Sequence, residues 1–431
     1  MHYKLIILVF GINLLFSQSL FNRWIGTNPY IGSPRSTSMG HTHLLNSTGS
    51  SIVRFNPSKL GLIKPMKGFD FQLNRNSTFQ RWSIPVRDSF GEFLTDADYV
   101  ANKFSYYGTH FGLITSTNLT EIGSIGIGFH YTPLTHFTYE YSEEIRGSYK
   151  TQDGEYASKD PIIGYHNLST NSTPMVSTLG GGVKFVLDNI NVSFGGSFSI
   201  IQSSLITDQI NIDTLFSDDM TNLSKFSDFY IQYKVPTTNF INLSSTMNLS
   251  ESLQIGISWE QNSKSQTTLH NSYIDSSNGL FQYFNDSSYS VIGLNYMKPE
   301  IKSIGISYIS NIENPISINL EINQISYFNH LNLNDYKQFK FGFEYISSTG
   351  TPIRAGLLYK TSPIQSIKPI SILTFGSGKS FKKITIDFST TYCFQSYYYN
   401  DLFPIPGETR PELDLVKESK LNIQLGITYI F

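Results

Sequence analysis

The stretch LNIQLGITYIF, residues 421–431, alternates in hydropathy. Leu421, Ile423, Leu425, Ile427, Tyr429 and Phe431 share one parity, and Asn422, Gln424, Gly426 and Thr428 share the other, with Ile430 the exception. Successive side chains of a strand point to opposite faces, so this stretch has one apolar and one polar face. A last strand that stops on an aromatic residue in its apolar face is expected to close a barrel by pairing with the first strand.

The same period of two runs back to about residue 68. Ile125, Ile127, Phe129 and Tyr131 alternate with Ser124, Gly126, Gly128 and His130, and Phe339, Phe341, Phe343 and Tyr345 alternate with Lys340, Gly342 and Glu344. The runs are longer than the roughly 5 or 6 residues of soluble strands. Their polar parity holds Gly, Ser, Thr and Asn more than charges, and aromatics gather toward run ends, as in an interfacial girdle. Fourteen strands are expected, near 68–83, 106–116, 121–137, 175–187, 190–207, 232–248, 252–272, 286–309, 315–329, 336–346, 352–361, 367–377, 382–395 and 418–431. Pro299 interrupts the eighth, and proline cannot donate to a ladder. Short turns alternate with longer loops near 84–105, 138–174, 208–231, 273–285 and 396–417, the arrangement of outer-membrane barrels.

Bulk composition agrees. Of 431 residues, 15% are charged and 14% aromatic, against about 25% charged in a soluble domain. The formal net charge of -2 gives no reason to expect nucleic acid as a partner. Cys393, the one cysteine, excludes an intrachain disulfide and a thiolate cluster. After Lys4, the apolar run Leu5–Phe16 is too short to span a bilayer, which needs about 20 residues. It reads as a signal peptide, residues 1–19. Residues 67–431 are then the transmembrane barrel, an all-β, 14-stranded antiparallel fold.

Residues 20–66 do not alternate. Gly, Pro, Ser and Asn punctuate them, yet Trp24, Ile52, Val53, Phe55, Leu60 and Leu62 are too apolar for a disordered tail. A plug, or hatch, folded inside the lumen is the better reading. Here RSTSMG (35–40) and TGSSIVRFNPSKLGLI (48–63) resemble the N-terminal signature of the FadL-like outer-membrane long-chain fatty-acid transporter family. FGFEY (341–345) and IRAGLLY (353–359) resemble two of its C-terminal strands. The match centres on Asn56, Pro57 and Ser58, with serine where the family has alanine. The acidic pair often seen in the spacer is missing, and Asn46, Ser47 and Thr48 stand there.

The resemblance implies a plugged barrel for hydrophobic ligands. They enter from outside, bind in an apolar luminal pocket and leave sideways at a kinked third strand. Asn56, Pro57 and Ser58 would fix the plug to the wall, and Phe55 and Leu60 would touch ligand. Pro133 has two readings of equal standing: the lateral kink, or simply the upper end of its strand. Gln424, Gly426, Tyr429 and Phe431 resemble the C-terminal signal read by the outer-membrane assembly machinery. The PorV-like relatives share the barrel without an established fatty-acid role. They imply a second reading, a barrel docking protein partners at its extracellular loops.

Motifs for chemistry are weak. His41 and His43 lack the further ligands of a metal site, and Gly180–Gly182 lack a following helix and the Lys-Ser/Thr of a phosphate loop, so they read as strand glycines facing a lumen or plug. No G-x-S-x-G elbow occurs. An outer-membrane hydrolase, built from Ser, His and acid on neighbouring strands, is the third reading. The expected protein is therefore no enzyme and needs no cofactor. It sits in outer-membrane lipid and passes a hydrophobic, fatty-acid-like molecule passively.

Overall fold

The computed structural model describes residues 26, 32–120, 123–146, 162–187, 190–214, 229–274, 295–328, 333–365, 367–403 and 412–431. Residues 1–19, read as a signal peptide, lie outside them.

Fourteen antiparallel strands close into one barrel. They are β1 Met66–Arg87, β2 Phe93–Thr120, β3 Gly123–Pro133, β4 Met175–Leu187, β5 Ile190–Ile201, β6 Thr238–Asn248, β7 Leu253–Glu260, β8 Glu300–Ile309, β9 Ile316–Ser326, β10 Tyr336–Ile346, β11 Pro352–Lys360, β12 Ile370–Phe381, β13 Ile384–Tyr399 and β14 Asp414–Ile430. The seam is made by β14 on β1, in register from Gly68 opposite Ile430 to Ser83 opposite Leu415. Phe71, Leu113, Leu179, Phe194, Ile304 and Phe375 stand exposed on the outer face. Such a belt is stable only against lipid, and a closed ladder satisfies every backbone group there. No helix among the described residues is long and apolar enough to cross a membrane; the crossing elements are strands.

Strand count and order match the sequence expectation, while several bounds and loops differ. The segment 84–105 is not a loop: β1 and β2 continue upward as a ribbon, paired to Arg87 opposite Phe93. Above the bilayer the outer face has no lipid to meet, so RDSFGEFLTDAD lost its alternation without losing its ladder. The barrel strands expected at 190–207, 232–248 and 252–272 shorten to 190–201, 238–248 and 253–260, and Pro299 falls immediately before β8 rather than inside it, with 286–294 of that expected strand outside the described residues. The described parts of the long connections between β3 and β8 carry strands of their own. Tyr139–Arg146, Ile162–Asn171, Ser204–Thr214, Phe229–Val235 and Thr268–Ile274 form a separate five-stranded antiparallel sheet. It is fastened to the β1, β2, β13 and β14 extensions by a core of Trp82, Tyr139, Tyr141, Leu168 and Phe403.

Residues 32–65 fold inside the barrel. Helices α1 Pro34–Ser38, α2 His43–Asn46 and α3 Ser51–Phe55 are followed by a 3-10 turn, Pro57–Gly61. Ser33 caps α1, accepting from the Ser36 N–H, and Pro34 takes the first helical position. Gly40 and His41 both adopt the left-handed conformation, at φ of 67° and 60°, and turn the chain from α1 into α2. These short helices meet strands on every side of the lumen and plug the barrel.

Candidate functional site: the plug, its seats and the cavity above it

The inner wall is carved for the plug by absent side chains. Along one register line Ser116, Gly126, Gly182, Gly195 and Ser244 lie side by side on β2 to β6. The Pro57–Ser58 backbone rests in that flat strip, where any Cβ on Gly182 or Gly195 would overlap it. A second strip, Asn319, Gly342, Gly356 and Thr374, crosses β9 to β12. It receives the Met39–Gly40 turn. The Gly40 N–H donates to Thr374 Oγ1 at 2.8 Å, and that hydroxyl donates to the Ser38 carbonyl at 2.8 Å. Both motif segments singled out from the sequence therefore lie where the plug backbone touches bare wall.

Asn56, Pro57 and Ser58 form one knot. Asn56 Nδ2 donates to the Leu44 carbonyl at 2.7 Å, tying α2 to the turn, and to Thr246 Oγ1 on β6 at 2.9 Å. Ser58 Oγ donates to Asn56 Oδ1 at 2.5 Å, and the Ser58 N–H donates to Ser244 Oγ at 2.9 Å. An alanine at 58 lacks that hydroxyl, so serine adds a link here.

Four wall carboxylates hold the plug, which between residues 32 and 65 carries Arg35, Arg54, Lys59 and Lys64 and no acidic residue. Asp70 on β1 accepts from the Ser50 N–H and hydroxyl at 2.5 and 2.9 Å. Glu260 on β7 takes a two-pronged bond from Arg54. Glu321 on β9 accepts from the Leu44 N–H at 2.8 Å and pairs with Lys340 at 2.7 Å. Glu344 on β10 lies between Arg35 and Arg354, at 2.7 and 2.6 Å, and Arg354 also reaches Asp387 at 2.7 Å. Low surrounding dielectric strengthens each pair, and losing one partner strands the other.

Ser50 Oγ also lies 2.7 Å from His130 Nδ1. A serine, a histidine and an acid thus converge, but Asp70 bonds the serine and not the histidine. All three are buried, and neither the luminal cavity nor the lipid-facing groove described below touches Ser50. The set fastens the plug to β1 and β3.

Above the plug is a cavity of about 270 Å³. His41, His43, Arg54 and Phe55 form its floor, and the upper inner faces of β7 to β14 form its wall. Phe55 stacks on His43 at 4.6 Å between ring centres. Ile325, Tyr336, Leu358, Ile372 and Cys393 supply much of the apolar wall. Lys298, Lys340, Lys360, Lys368 and Lys420 bring cations, against the one lining carboxylate of Glu260. Lys298 and Lys340 are held by Glu260 and Glu321, at 2.6 and 2.7 Å. Lys360 has no acidic partner among the described residues; its ammonium lies 5.0 Å from the centre of the Tyr336 ring.

Phe55 lines this cavity and Leu60 does not. Leu60 is buried with Ile52, Val53 and Ile114, facing Gly126 of β3. Pro133 occupies the last position of β3, opposite Met175, and the β3–β4 ladder is unbroken down to Gly123 opposite Phe185. Outside the same strands lies a groove of about 480 Å³ lined by Leu113, Ile127, Phe129, Leu179 and Phe431. In the seam, Gln424 Nε2 donates to the Gly32 carbonyl at 2.7 Å and Gly426 faces Pro34. Tyr429 and Phe431 meet edge to face at 5.0 Å near the lower rim.

Apart from Phe55, the ligand-lining role of the cavity residues is not read from the sequence, although a signal exists. Where a strand passes from plug level to cavity level, its inward parity turns apolar too, leaving doublets such as Leu357–Leu358, Ile372–Leu373 and Tyr392–Cys393.

Burial first, and then the nearby Lys340 charge, lower the His41 imidazole from its ordinary 6.5 to about 3. The docked plug therefore holds fewer protons on His41 than the undocked one between those values. Its contribution is complete above about 6.5 and is lost as pH falls toward 3. Acidification across this window is expected to lower the protection of plug amides against hydrogen exchange, each rate being taken relative to the intrinsic rate at that pH. His41→Asn, which suits the left-handed backbone and does not titrate, is expected to lessen that loss of protection, with the remainder due to His43, which burial lowers as well. An unchanged pH profile in the variant would contradict the assignment.

No family model and no curated protein sequence matches this chain. Solved structures do. A Pseudomonas aeruginosa FadL homologue superposes with a TM-score of 0.54 at 12% identity, covering 96% of this chain and 99% of its own. The P. putida toluene transporter TodX gives 0.52 at 13% identity, covering 94% and 99%. The Ralstonia pickettii toluene transporter TbuX gives 0.52 at 15%, covering 93% and 98%. Over nearly its whole length, the chain has the plugged, 14-stranded transmembrane barrel fold of FadL-type transporters.

Proposed function

We propose that this barrel carries amphipathic anions with long apolar tails, of the long-chain fatty-acid kind, passively across the outer membrane. The observation that carries this reading is Lys360, a cation without an acidic partner among the described residues, set among Tyr336, Leu358, Ile372 and Cys393. Holding a half-buried ammonium beside apolar side chains without a carboxylate partner is costly. A carboxylate whose tail covers the apolar wall removes that cost. A neutral aromatic hydrocarbon, such as the ligand in the names of TodX and TbuX, leaves it in place.

The route runs from the extracellular cavity past the plug. Behind Val53 and Leu60 the wall at Gly126, Gly128, Gly180 and Gly182 is a single backbone layer, and the apolar groove lies on its lipid side. Release toward lipid beside β3 fits this geometry better than release down the plugged lumen. The open cavity above the plug also favours transport over the docking reading, for which a solidly packed lumen is expected.

The test is equilibrium binding of palmitate and hexadecanol to the protein in lipid nanodiscs. Lys360→Met is expected to weaken palmitate about tenfold to a hundredfold, the worth of one or two charge-assisted contacts. Hexadecanol affinity is expected to stay within about twofold. Equal losses for both ligands would remove the anion from the proposal.

A further inference from the structure

Among the four wall carboxylates that hold the plug, Glu260 alone lines the cavity. It is also shared. Arg54 presents both terminal nitrogens to its two oxygens, while Lys298 Nζ approaches Oε1 to 2.6 Å. The side chains of all three are almost fully buried. Both cations lie over the Phe240 ring, at 4.6 and 4.4 Å from its centre. Lys298 is further pinned to the wall through the Gln261 and Pro299 carbonyls, at 2.8 and 2.9 Å. Arg54 rides on α3 of the plug. Glu260 therefore joins a fixed cation and one on the plug, at the cavity floor.

The other shared carboxylate offers a comparison. Around Glu344, two guanidiniums, Arg35 and Arg354, are matched by two carboxylates, Glu344 and Asp387. Around Glu260, two cations share one carboxylate in direct contact, while the nearby Glu300 pairs with Lys302 at 2.6 Å and acts on Lys298 from farther off. A second carboxylate can arrive from the cavity, which Arg54 and Glu260 both line. It takes the Arg54 fork, and Glu260 remains with Lys298. Charged partners are exchanged one for one, so no buried charge is stranded.

We propose that Glu260 is a resident stand-in for the ligand's carboxylate. A long-chain carboxylate in the cavity exchanges it off Arg54 and unlatches α3 from β7. This rests on the reading that the cavity takes amphipathic anions. α3 also carries Val53, which covers Gly128 and Gly180 on β3 and β4, so unlatching Arg54 loosens the cover beside the lipid-facing groove. Glu260 thereby makes plug opening conditional on the ligand's charge as well as its tail. Neutral hydrocarbon fills the cavity and leaves the latch shut.

The experiment is amide hydrogen exchange over residues 51–61 of the wild-type protein in nanodiscs, with saturating palmitate or saturating hexadecanol. Palmitate is expected to speed exchange about tenfold, and hexadecanol to leave it unchanged. The variant Glu260→Gln is expected to exchange faster without ligand and to bind palmitate about tenfold more tightly, its competitor being gone. If palmitate binds but exchange over 51–61 stays the same or slows, the latch is overturned and the transport reading stands. Equal acceleration by hexadecanol also overturns it. If palmitate does not bind at all, both readings fall.

Discussion

Gly356→Val is expected to leave the barrel folded and the plug unseated. A Cβ at Gly356 lands on the backbone of Met39 and Gly40, which has no room to yield because Gly40 is itself pressed against the Phe341 and Leu357 carbonyls. Overpacking a rigid site costs about 1–3 kcal/mol when side chains can adjust; against backbone on both sides the cost is at the top of that range or above. The outer face of β11 is untouched, so strand closure and lipid contact persist. In planar bilayers the variant should show a lasting ion conductance that the wild type lacks. Gly181→Val is the control. Gly181 lies on the same kind of strand but faces outward, beside Ile127, and its conductance should remain that of the wild type. Equal behaviour of the two variants would refute the bare-wall seat.

The second large effect is expected from Glu344→Leu. It removes the carboxylate between Arg35 and Arg354 and leaves two guanidiniums facing each other in a buried site, with Asp387 as the remaining acid. Breaking a buried pair in this way costs about 3–5 kcal/mol. The loss falls on α1, so protease cleavage and hydrogen exchange over residues 33–39 should rise by orders of magnitude, while heat stability of the barrel changes little. Replacing Asp98, the exposed partner of Arg81 at 3.2 Å, should have almost no effect, since exposed pairs contribute about 0–1 kcal/mol. Comparable sensitivity at both sites would show that the luminal carboxylates do not hold the plug.

Much of the barrel is legible in the sequence, and the reason is lipid. Where one face meets hydrocarbon and the other meets plug or water, period two is forced on runs such as Ile125–Tyr131 and Leu421–Phe431. Above the bilayer that constraint ends. The β1–β2 ribbon and much of the extracellular five-stranded sheet, including Tyr139–Arg146 with its YEYSEEIR sequence, therefore read as loop, while 204–207, 232–235 and 268–272 read as ends of barrel strands. Their ladders are kept by packing on Trp82 and Phe403, residues distant in sequence. The plug motif was legible for a related reason. Asn56, Pro57 and Ser58 must fit a strip of glycines, and small or turn-forming residues stand out among apolar ones. The wall glycines were visible too, as residues facing a lumen or plug. Their alignment into two strips was not, because it depends on register between strands. The cavity was hidden for the opposite reason. Its wall residues come one to three at a time from eight strands, and Lys360, Glu260 and Cys393 have no common spacing. Leu60 shows the limit of motif reading: it is apolar and close to Asn56, yet it packs against β3 and away from the cavity floor.

Uptake tests the central claim most directly. Vesicles carrying the protein in an asymmetric outer-membrane bilayer would be supplied with labelled palmitate, hexadecanol or toluene, and transfer to the inner leaflet would be followed with time. Palmitate transfer is expected to depend on the protein and to fall about tenfold or more in Lys360→Met. Transfer no faster than in protein-free vesicles, or equal acceleration of all three compounds by wild type and variant, would contradict it.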